Sequence, residues 1–151
     1  MRLYLSSKNI FAIFYILTFL FPIDSQAKEL QFESIGVDQE FSSSSILEII
    51  QDKKGFLWLG TGNGLYRYDG YEFTSYIENP YDSLSISGSY ITALFEDKSR
   101  AIWIGTNGGG LNKYNHFLDR FTSYKNNPEN AESISSNKIW FIFEDSNMSF
   151  F

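Results

Sequence analysis

Paired acids are the first residues in this chain whose type and spacing could do chemistry. Glu96-Asp97 and Glu144-Asp145 could supply a general acid and a general base, or oxygen ligands for a cation. An equivalent stretch earlier in the chain has Gln51-Asp52, so one acid of the pair is not kept there. Asp often organises a tight turn by accepting hydrogen bonds from nearby backbone. We therefore favour a turn role over catalysis at these positions.

A single histidine and one glycine-rich segment are the next candidates. His116 is the only histidine of the chain, and a general base or a metal site needs partners for it, so an exposed turn histidine is favoured. The run Gly105 to Gly110 could cradle a phosphate, but it lacks a following Lys and a helix, which favours a glycine-rich turn. The chain has no Cys, which excludes thiolate metal sites, Cys nucleophiles and disulfides. The sequence predicts no enzyme activity, no cofactor and no metal.

Aromatic residues could instead bind a ligand. Trp58 and Trp103 could stack on a sugar, but each lies in an all-apolar run, so we favour a role in the core. A mixture of aromatic and cationic side chains after a glycine turn is a better candidate for contacts to carbohydrate or carboxylate. The candidate ligand-binding residues are Tyr66, Arg67, Tyr68, Lys113 and Tyr114.

Composition favours strands over helices. Aromatic residues make up 19% of the 151 residues, with 11 Gly and 3 Pro. The formal net charge is −6, and Lys and Arg are scattered singly or in pairs. A phosphate-binding surface needs clustered Lys and Arg, so nucleic acid is not expected as a partner.

Residues 1–27 have the pattern of a secretory signal peptide. Arg2 and Lys8 precede an apolar run from Ile10 to Phe21, and small residues lead to a cleavage site between Ala27 and Lys28. An uncleaved membrane anchor is the alternative, although a core of roughly a dozen residues is short for a bilayer that needs about 20. The pattern predicts export to the periplasm.

Two copies of one unit follow, and a third begins. Trp58 and Trp103 are 45 positions apart, each preceded by an acidic turn and followed by Gly-Thr. The repeated positions are Asp52, Gly55, Trp58, Gly60, Thr61, Gly64 and Leu65 in the first copy, and Asp97, Trp103, Gly105, Thr106, Gly110 and Leu111 in the second. The third copy opens at Ile139 and reaches Asp145.

Each copy divides into four short apolar runs separated by turn residues, which predicts four antiparallel strands. In the first copy these runs are Ile46–Ile50, Phe56–Gly60, Leu65–Tyr68 and Tyr71–Tyr76. A four-stranded sheet covered on both faces by copies of itself is a propeller blade. We therefore predict an all-β, partial β-propeller with two four-stranded blades and the start of a third. The predicted divisions are 1–27 (signal peptide), 28–45 (N-terminal segment), 46–88 (repeat 1), 89–135 (repeat 2) and 136–151 (incomplete repeat 3).

The pattern Asp-x-x-Gly-x-Leu-Trp-Leu-Gly-Thr-x-x-Gly-Leu-x-x-Tyr, at Asp52 to Tyr68, resembles the two-component regulator propeller repeat. That family supplies periplasmic sensor regions of hybrid histidine kinases and some diguanylate cyclases. The resemblance implies a non-enzymatic sensor module that binds a small ligand, with carbohydrate as the expected class, in an inner-membrane parent protein. The alternatives are a propeller enzyme of the lyase or glycosidase type, and a truncated product without function.

Three parts of the chain carry further expectations about the repeats. Arg100 stands where the turn glycine belongs, so that hairpin is expected to be looser or of another turn type. Phe32–Ile35 resembles a fourth strand and is expected to close the ring. The repeat pattern lapses after Asp145, so we expect a truncated propeller that self-associates through an open edge at Ile139–Phe143 and meets a membrane only through its parent or an uncleaved leader.

Overall fold

Two four-stranded antiparallel sheets form the part of the chain that the computed structural model describes, residues 45–145. The first sheet, blade 1, contains β1 (Ile46–Gln51), β2 (Leu57–Thr61), β3 (Leu65–Tyr68) and β4 (Phe73–Tyr76). The second, blade 2, contains β5 (Ile91–Glu96), β6 (Ile102–Thr106), β7 (Leu111–Asn115) and β8 (Arg120–Tyr124). Each sheet pairs its strands in chain order, and no residue between 45 and 145 is helical. The predicted all-β, partial propeller is confirmed.

Several predictions concern residues beyond this range. The signal peptide at 1–27, its cleavage site between Ala27 and Lys28, and the ring-closing strand at Phe32–Ile35 lie outside the described residues. So does the end of the chain after Asp145.

The two blades share their irregularities as well as their strands. In blade 1 the register between β1 and β2 shifts between Ile46 and Glu48, and in blade 2 the β5–β6 register shifts between Ile91 and Ala93. A bulge at the same place in both first strands bends and twists the strand locally. The repeat therefore specifies the local bend of its first strand as well as its pattern of apolar residues.

Two predicted strand starts are too early, for the same physical reason. β2 begins at Leu57 and not at Phe56, because the backbone N–H of Phe56 donates to the Asp52 carboxylate (3.0 Å). β4 begins at Phe73 and not at Tyr71, because the N–H groups before it are bonded to the Asp69 carboxylate. Asp side chains take these donors into the turns before the ladders begin.

The expectation of a looser hairpin at Arg100 is wrong. Arg100 adopts φ 68°, in the left-handed region where the first copy has Gly55 at φ 94°. Its N–H donates to the Asp97 carbonyl at 2.8 Å, as that of Gly55 donates to the Asp52 carbonyl at 2.9 Å. The turn is conserved, and Arg100 adopts a backbone conformation that costs a non-glycine residue roughly 1–2 kcal/mol.

The repeated glycine of the second strand lets the next copy approach. A Cβ atom on Gly60 would lie 2.6 Å from the Ile91 side chain, and one on Gly105 would lie 2.8 Å from the Ile139 side chain. Real Cβ atoms do not approach other atoms that closely, so a larger residue at either position would force the neighbouring isoleucine to shift. Ile139 therefore packs against Gly105 of blade 2 in the same way that Ile91 packs against Gly60 of blade 1.

The third copy is attached to blade 2 without forming a strand of its own between 139 and 143. The N–H of Ile139 donates to the Thr106 carbonyl at 3.0 Å, and the Thr92 hydroxyl donates to the Ile139 carbonyl. Trp140 and Phe141 are 57% and 85% exposed. This segment follows the course of a first strand and presents large apolar side chains to solvent.

A core of aromatic and aliphatic side chains joins the blades. Its members come from both sheets and from the connector between them: Trp58, Leu65, Tyr76, Ile86, Ile91, Leu94, Ile102, Ile104, Tyr114 and Phe121. Burial of this apolar area is the main force that holds blade 1 against blade 2.

Candidate functional site

The repeated Asp of the first hairpin has a structural role. One carboxylate oxygen of Asp52 accepts from the indole N–H of Trp58 at 2.8 Å. The other accepts from the backbone N–H groups of Lys54 (2.9 Å) and Phe56 (3.0 Å). Trp58 is fully buried, and this bond satisfies its only polar group. The Asp is therefore both the turn former and the anchor of the core Trp.

Asp97 repeats the arrangement in blade 2. It accepts from the indole of Trp103 (2.8 Å), the N–H of Ala101 (2.8 Å) and the hydroxyl of Ser99 (2.6 Å). Burial raises the pKa of Asp97, but the hydrogen bonds from Ser99 and Trp103 outweigh it and hold the pKa below its usual value. A carboxylate held ionised by three donors is poorly suited to accept a proton.

The Glu of each acid pair reaches across to the preceding copy. The Glu96 carboxylate accepts the backbone N–H of Lys53 through both oxygens, at 3.0 and 3.2 Å. Glu144 accepts the N–H of Lys98 at 3.0 Å in the same way. In each pair the two acids therefore have different roles. Asp stabilises the turn of its own copy, and Glu binds the turn of the copy before it.

The glycine-rich segment is filled by the chain itself. The N–H groups of Gly108 and Gly110 both donate to the Asn137 carbonyl at 2.9 Å. The Ser87 hydroxyl donates to the Gly109 carbonyl at 2.6 Å, and a Cβ on Gly109 would collide with the Ser87 backbone. These donors already have acceptors, so they are not free to bind a phosphate.

The five candidate ligand-binding residues separate into four places. Tyr66 is buried, 6% exposed, on β3. Tyr68 stacks on Phe73 with ring centroids 4.6 Å apart, and the Lys113 ammonium lies 4.9 Å from the Trp103 ring centroid. Arg67 and Tyr114 meet, with an Arg67 Nη1 to Tyr114 hydroxyl distance of 2.7 Å. Their role in ligand binding remains a prediction.

Arg67 and Tyr114 belong to a polar cluster between the blades, the interblade cluster, whose other members are the buried Tyr76 and the more exposed Asp119. The hydroxyls of Tyr76 and Tyr114 both donate to one oxygen of Asp119, at 2.7 and 2.6 Å. Arg67 also lies 3.8 Å from that oxygen. Because Arg67 and Tyr76 come from blade 1 and the other two from blade 2, the cluster bonds the blades to each other.

Aromatic rings surround the cation of the interblade cluster. The Arg67 guanidinium lies within 5.3 to 5.8 Å of the ring centroids of Phe56, Trp58 and Tyr76. Its side chain is 22% exposed, and its Nε has no hydrogen-bond partner among the described residues. A planar cation is well suited to such aromatic surroundings.

Burial and hydrogen bonding set the protonation states of the cluster. Burial, followed by the hydrogen bonds with Tyr114 and Asp119, raises the pKa of Tyr76 well above its usual value. Burial and the hydrogen bond to Asp119 raise the pKa of Tyr114 as well. Burial raises the pKa of Asp119, but the donated hydrogen bonds and the charge of Arg67 hold it below its usual value. The cluster is thus a cation, an anion and two neutral phenols.

Sequence reasoning missed Tyr76 and Asp119. Tyr76 recurs as Tyr124 in the second copy, so its type and position do not distinguish it from other repeated residues. Asp119 lies in a turn that is longer in the second copy, so it has no counterpart in the first. The cluster depends on contacts between residues 38 to 47 positions apart, which the repeat pattern does not specify.

His116 lines a second feature, a pocket of about 230 Å³ at the hairpin end of blade 2. Arg100, Lys113, Asn115 and Phe117 line it as well. The His116 ring meets the Tyr114 ring edge-on, with centroids 5.2 Å apart. The side chains that line this pocket include the cationic Arg100 and Lys113.

Among residues 45–145, no three His, Cys, Asp or Glu side chains gather closely enough to hold a metal ion. The same residues include no helix with the length and hydropathy that a membrane span requires.

The repeats are similar in sequence to those of known proteins. A family model described as "Two component regulator propeller" matches residues 40–63 and 85–108. Histidine kinase P4 of Formosa agariphila is 41% identical over 78 residues, which are 50% of this chain and 6% of that kinase.

Solved structures agree. The extracellular domain of a hybrid two component system from B. thetaiotaomicron is 34% identical, with a TM-score of 0.69 over 77% of this chain and 16% of that domain. That of a second such system from the same organism is 24% identical, with a TM-score of 0.62 over 81% of this chain and 17% of that domain, and it supports the fold alone. The chain therefore spans less than a fifth of the solved domains it matches. Two segments of the chain thus match the two component regulator propeller model, and the blades resemble part of the extracellular domain of a hybrid two component system.

Proposed function

We propose that this chain is a non-catalytic part of an extracytoplasmic sensor propeller, which binds a small ligand and passes the signal to the output region of a larger two-component protein. The observation that carries the proposal is the match of both blades to the extracellular domain of a hybrid two component system. The chain spans 16% of that domain and 6% of the curated kinase, so output belongs to the larger protein.

The internal chemistry supports a binding role over an enzymatic one. The acids that could act as general acid and base are held by turn N–H groups and by indole N–H groups. An acid or base needs an open path to substrate and a pKa matched to proton transfer, and Asp97 has neither. A small carbohydrate is the ligand class we propose for the sensor.

Export is the first element of the proposal to test. We expect a fusion of the chain to alkaline phosphatase, a reporter that matures only outside the cytoplasm, to be active. The control lacks residues 1–27 and should be inactive. An inactive full-length fusion that is nevertheless present at normal level would contradict an extracytoplasmic sensor.

Binding is tested separately by thermal unfolding of the full chain against a panel of neutral and acidic oligosaccharides. A ligand that binds only the folded state raises stability by RT ln(1 + [L]/Kd), about 2.7 kcal/mol at a hundredfold excess over Kd. We expect at least one saccharide to raise the midpoint in a dose-dependent manner. Cleavage of any panel member by the chain would instead support a propeller enzyme.

A further inference from the structure

The pocket at the hairpin end of blade 2 differs from the rest of the surface in its charge. It measures about 230 Å³ and is open to solvent between the first and third turns of the blade. Arg100, Lys113 and His116 contribute basic side chains, and no Asp or Glu lines it. This is unexpected on a chain whose net charge is −6.

The first distinguishing feature is Arg100, which replaces the turn glycine of the repeat. At Gly55 of blade 1 a Cβ would meet nothing within 4 Å, so that position has room for a side chain. Arg100 nevertheless adopts φ 68°, a conformation that glycine would adopt without strain. An Arg at this point places a cation at the pocket rim and does nothing for the turn that glycine would not do better.

The second feature is Asn115, which replaces an acid. In blade 1 one oxygen of Asp69 accepts the N–H groups of Tyr71 (2.8 Å) and Glu72 (2.9 Å). In blade 2 the Asn115 side-chain oxygen accepts those of Phe117 (2.9 Å) and Leu118 (3.1 Å). The turn is preserved and the negative charge is gone.

The charges around the pocket leave it positive. The Lys113 ammonium lies over the Trp103 ring at 4.9 Å, and it interacts electrostatically with Asp97, which lies outside the pocket lining. Within the described residues, the Arg100 guanidinium forms no ion pair. The lining itself therefore carries two permanent cations and a histidine, while Asp97 and Asp119 lie outside it.

We propose that this pocket, which we call the blade 2 anion pocket, binds the carboxylate or sulfate group of a small ligand. Arg100 and Lys113 supply the charge, since an Arg presents a planar fork that suits such groups. The exposed Phe117 ring, 99% accessible, offers an apolar surface beside it for the rest of the ligand. The volume is below the roughly 300–1,000 Å³ of drug-sized sites, so a single sugar ring or a free oxyanion fits its scale. This inference does not depend on the sensor function.

The test uses the full chain and three probes: inorganic sulfate, glucuronate, and glucose as the neutral match to glucuronate. Amide chemical shifts are followed by NMR at low salt. We expect sulfate and glucuronate to shift the amides of Arg100, Asn115 and His116 in a saturable manner, and glucose to leave them unchanged. Tighter binding of glucuronate than of sulfate would assign the site to a sugar-borne acid, and the reverse would assign it to a free oxyanion.

Two substitutions toward blade 1 make the test specific. Asn115→Asp keeps the turn, as Asp69 shows, but adds a negative charge, and Arg100→Gly restores the repeat residue. Each should weaken glucuronate binding at least tenfold without loss of folded signal. Lys113→Arg, the residue at the equivalent place in blade 1, should retain binding, and Lys54→Ala in the exposed turn of blade 1 is the matched control for loss of a surface cation. Equal shifts from glucose, no shift from either anion, or full binding by Asn115→Asp would overturn the proposal.

Discussion

At the scale of single residues, the same residue type does different work in the two copies. Tyr68 and Tyr114 are equivalent in the repeat, yet the Tyr68 hydroxyl donates to the exposed Gly70 carbonyl. The Tyr114 hydroxyl accepts from Arg67 and donates to Asp119 between the blades. The repeat pattern therefore specifies a Tyr at this position, and the residues around it in the folded chain determine what its hydroxyl binds.

This difference predicts unequal effects of one small change. Tyr114→Phe removes the hydroxyl partner of a mostly buried guanidinium, so we expect the free energy of unfolding to fall by about 1–3 kcal/mol. Tyr68→Phe, the matched control, should change it by less than about 0.5 kcal/mol. Chemical denaturation monitored by Trp fluorescence measures both. Equal effects of the two variants would show that the interblade cluster adds no specific stability.

The phenols of the interblade cluster also predict how stability changes with pH. Tyr76 and Tyr114 have pKa values raised by burial in the folded state, so the folded chain holds their protons more tightly than the unfolded chain, whose phenols titrate near pH 10. Their contribution is complete below about pH 10 and is lost as pH rises above it. We expect unfolding free energy to decline steeply above about pH 10 and Tyr76→Phe to make the decline shallower. A variant with an unchanged slope would show that Tyr76 ionises freely in the folded chain.

At the scale of elements, the first hairpin shows how a turn can keep its form with an unfavourable residue. Asp97 shares with Asp52 the bonds to the core indole and to the N–H four residues on, and these bonds favour the turn in which Arg100 is left-handed. Tertiary and side-chain bonds can override a backbone preference of this size.

Reciprocal substitutions at this turn should have opposite signs. Arg100→Gly relieves the left-handed conformation, less the greater freedom of glycine in the unfolded chain, so we expect a gain of about 0.5–1 kcal/mol. Gly55→Arg should cost a similar amount, because the space at Gly55 is open and only the backbone opposes it. Thermal unfolding of the two variants beside the parent chain gives both signs. Destabilisation by Arg100→Gly would mean that the Arg100 side chain makes a stabilising contact.

Much of the element level could be predicted from the sequence, because turns and strands follow local chemistry. The spacing of Trp58 and Trp103 located equivalent strands, and the Asp-x-x-Gly turn located the first hairpin. The strand starts at Leu57 and Phe73 could not be placed exactly from apolar residues, since Asp side chains remove donors from the ladders. The interblade cluster was beyond reach, because Arg67 and Tyr114 are brought together only by the docking of one sheet on another.

At the scale of the whole molecule, contact between successive copies depends on small residues and on the chain's own carboxylates. Gly60 and Gly105 admit the first isoleucine of the following copy, and Glu96 and Glu144 bind the turn of the preceding one. In repeat proteins each copy contacts mainly its neighbours, so stability is built from the copies and from the interfaces between them. A substitution at an interface should therefore affect the coupling of the blades more than the blades themselves.

Gly60→Ala tests this coupling directly. The new methyl would lie 2.6 Å from the Ile91 side chain, so blade 2 must shift, and overpacking of this kind costs about 1–3 kcal/mol. Gly62→Ala is the matched control, because its nearest contact is an ordinary 3.6 Å from Tyr90, and it should be neutral or slightly stabilising. We expect Gly60→Ala alone to lower the denaturant midpoint and to broaden the transition, since blades that are less well coupled unfold less cooperatively. If Gly60→Ala unfolds at the parental midpoint with the parental slope, the interface adapts to a methyl group, and the repeated glycine must be explained by another constraint on the propeller.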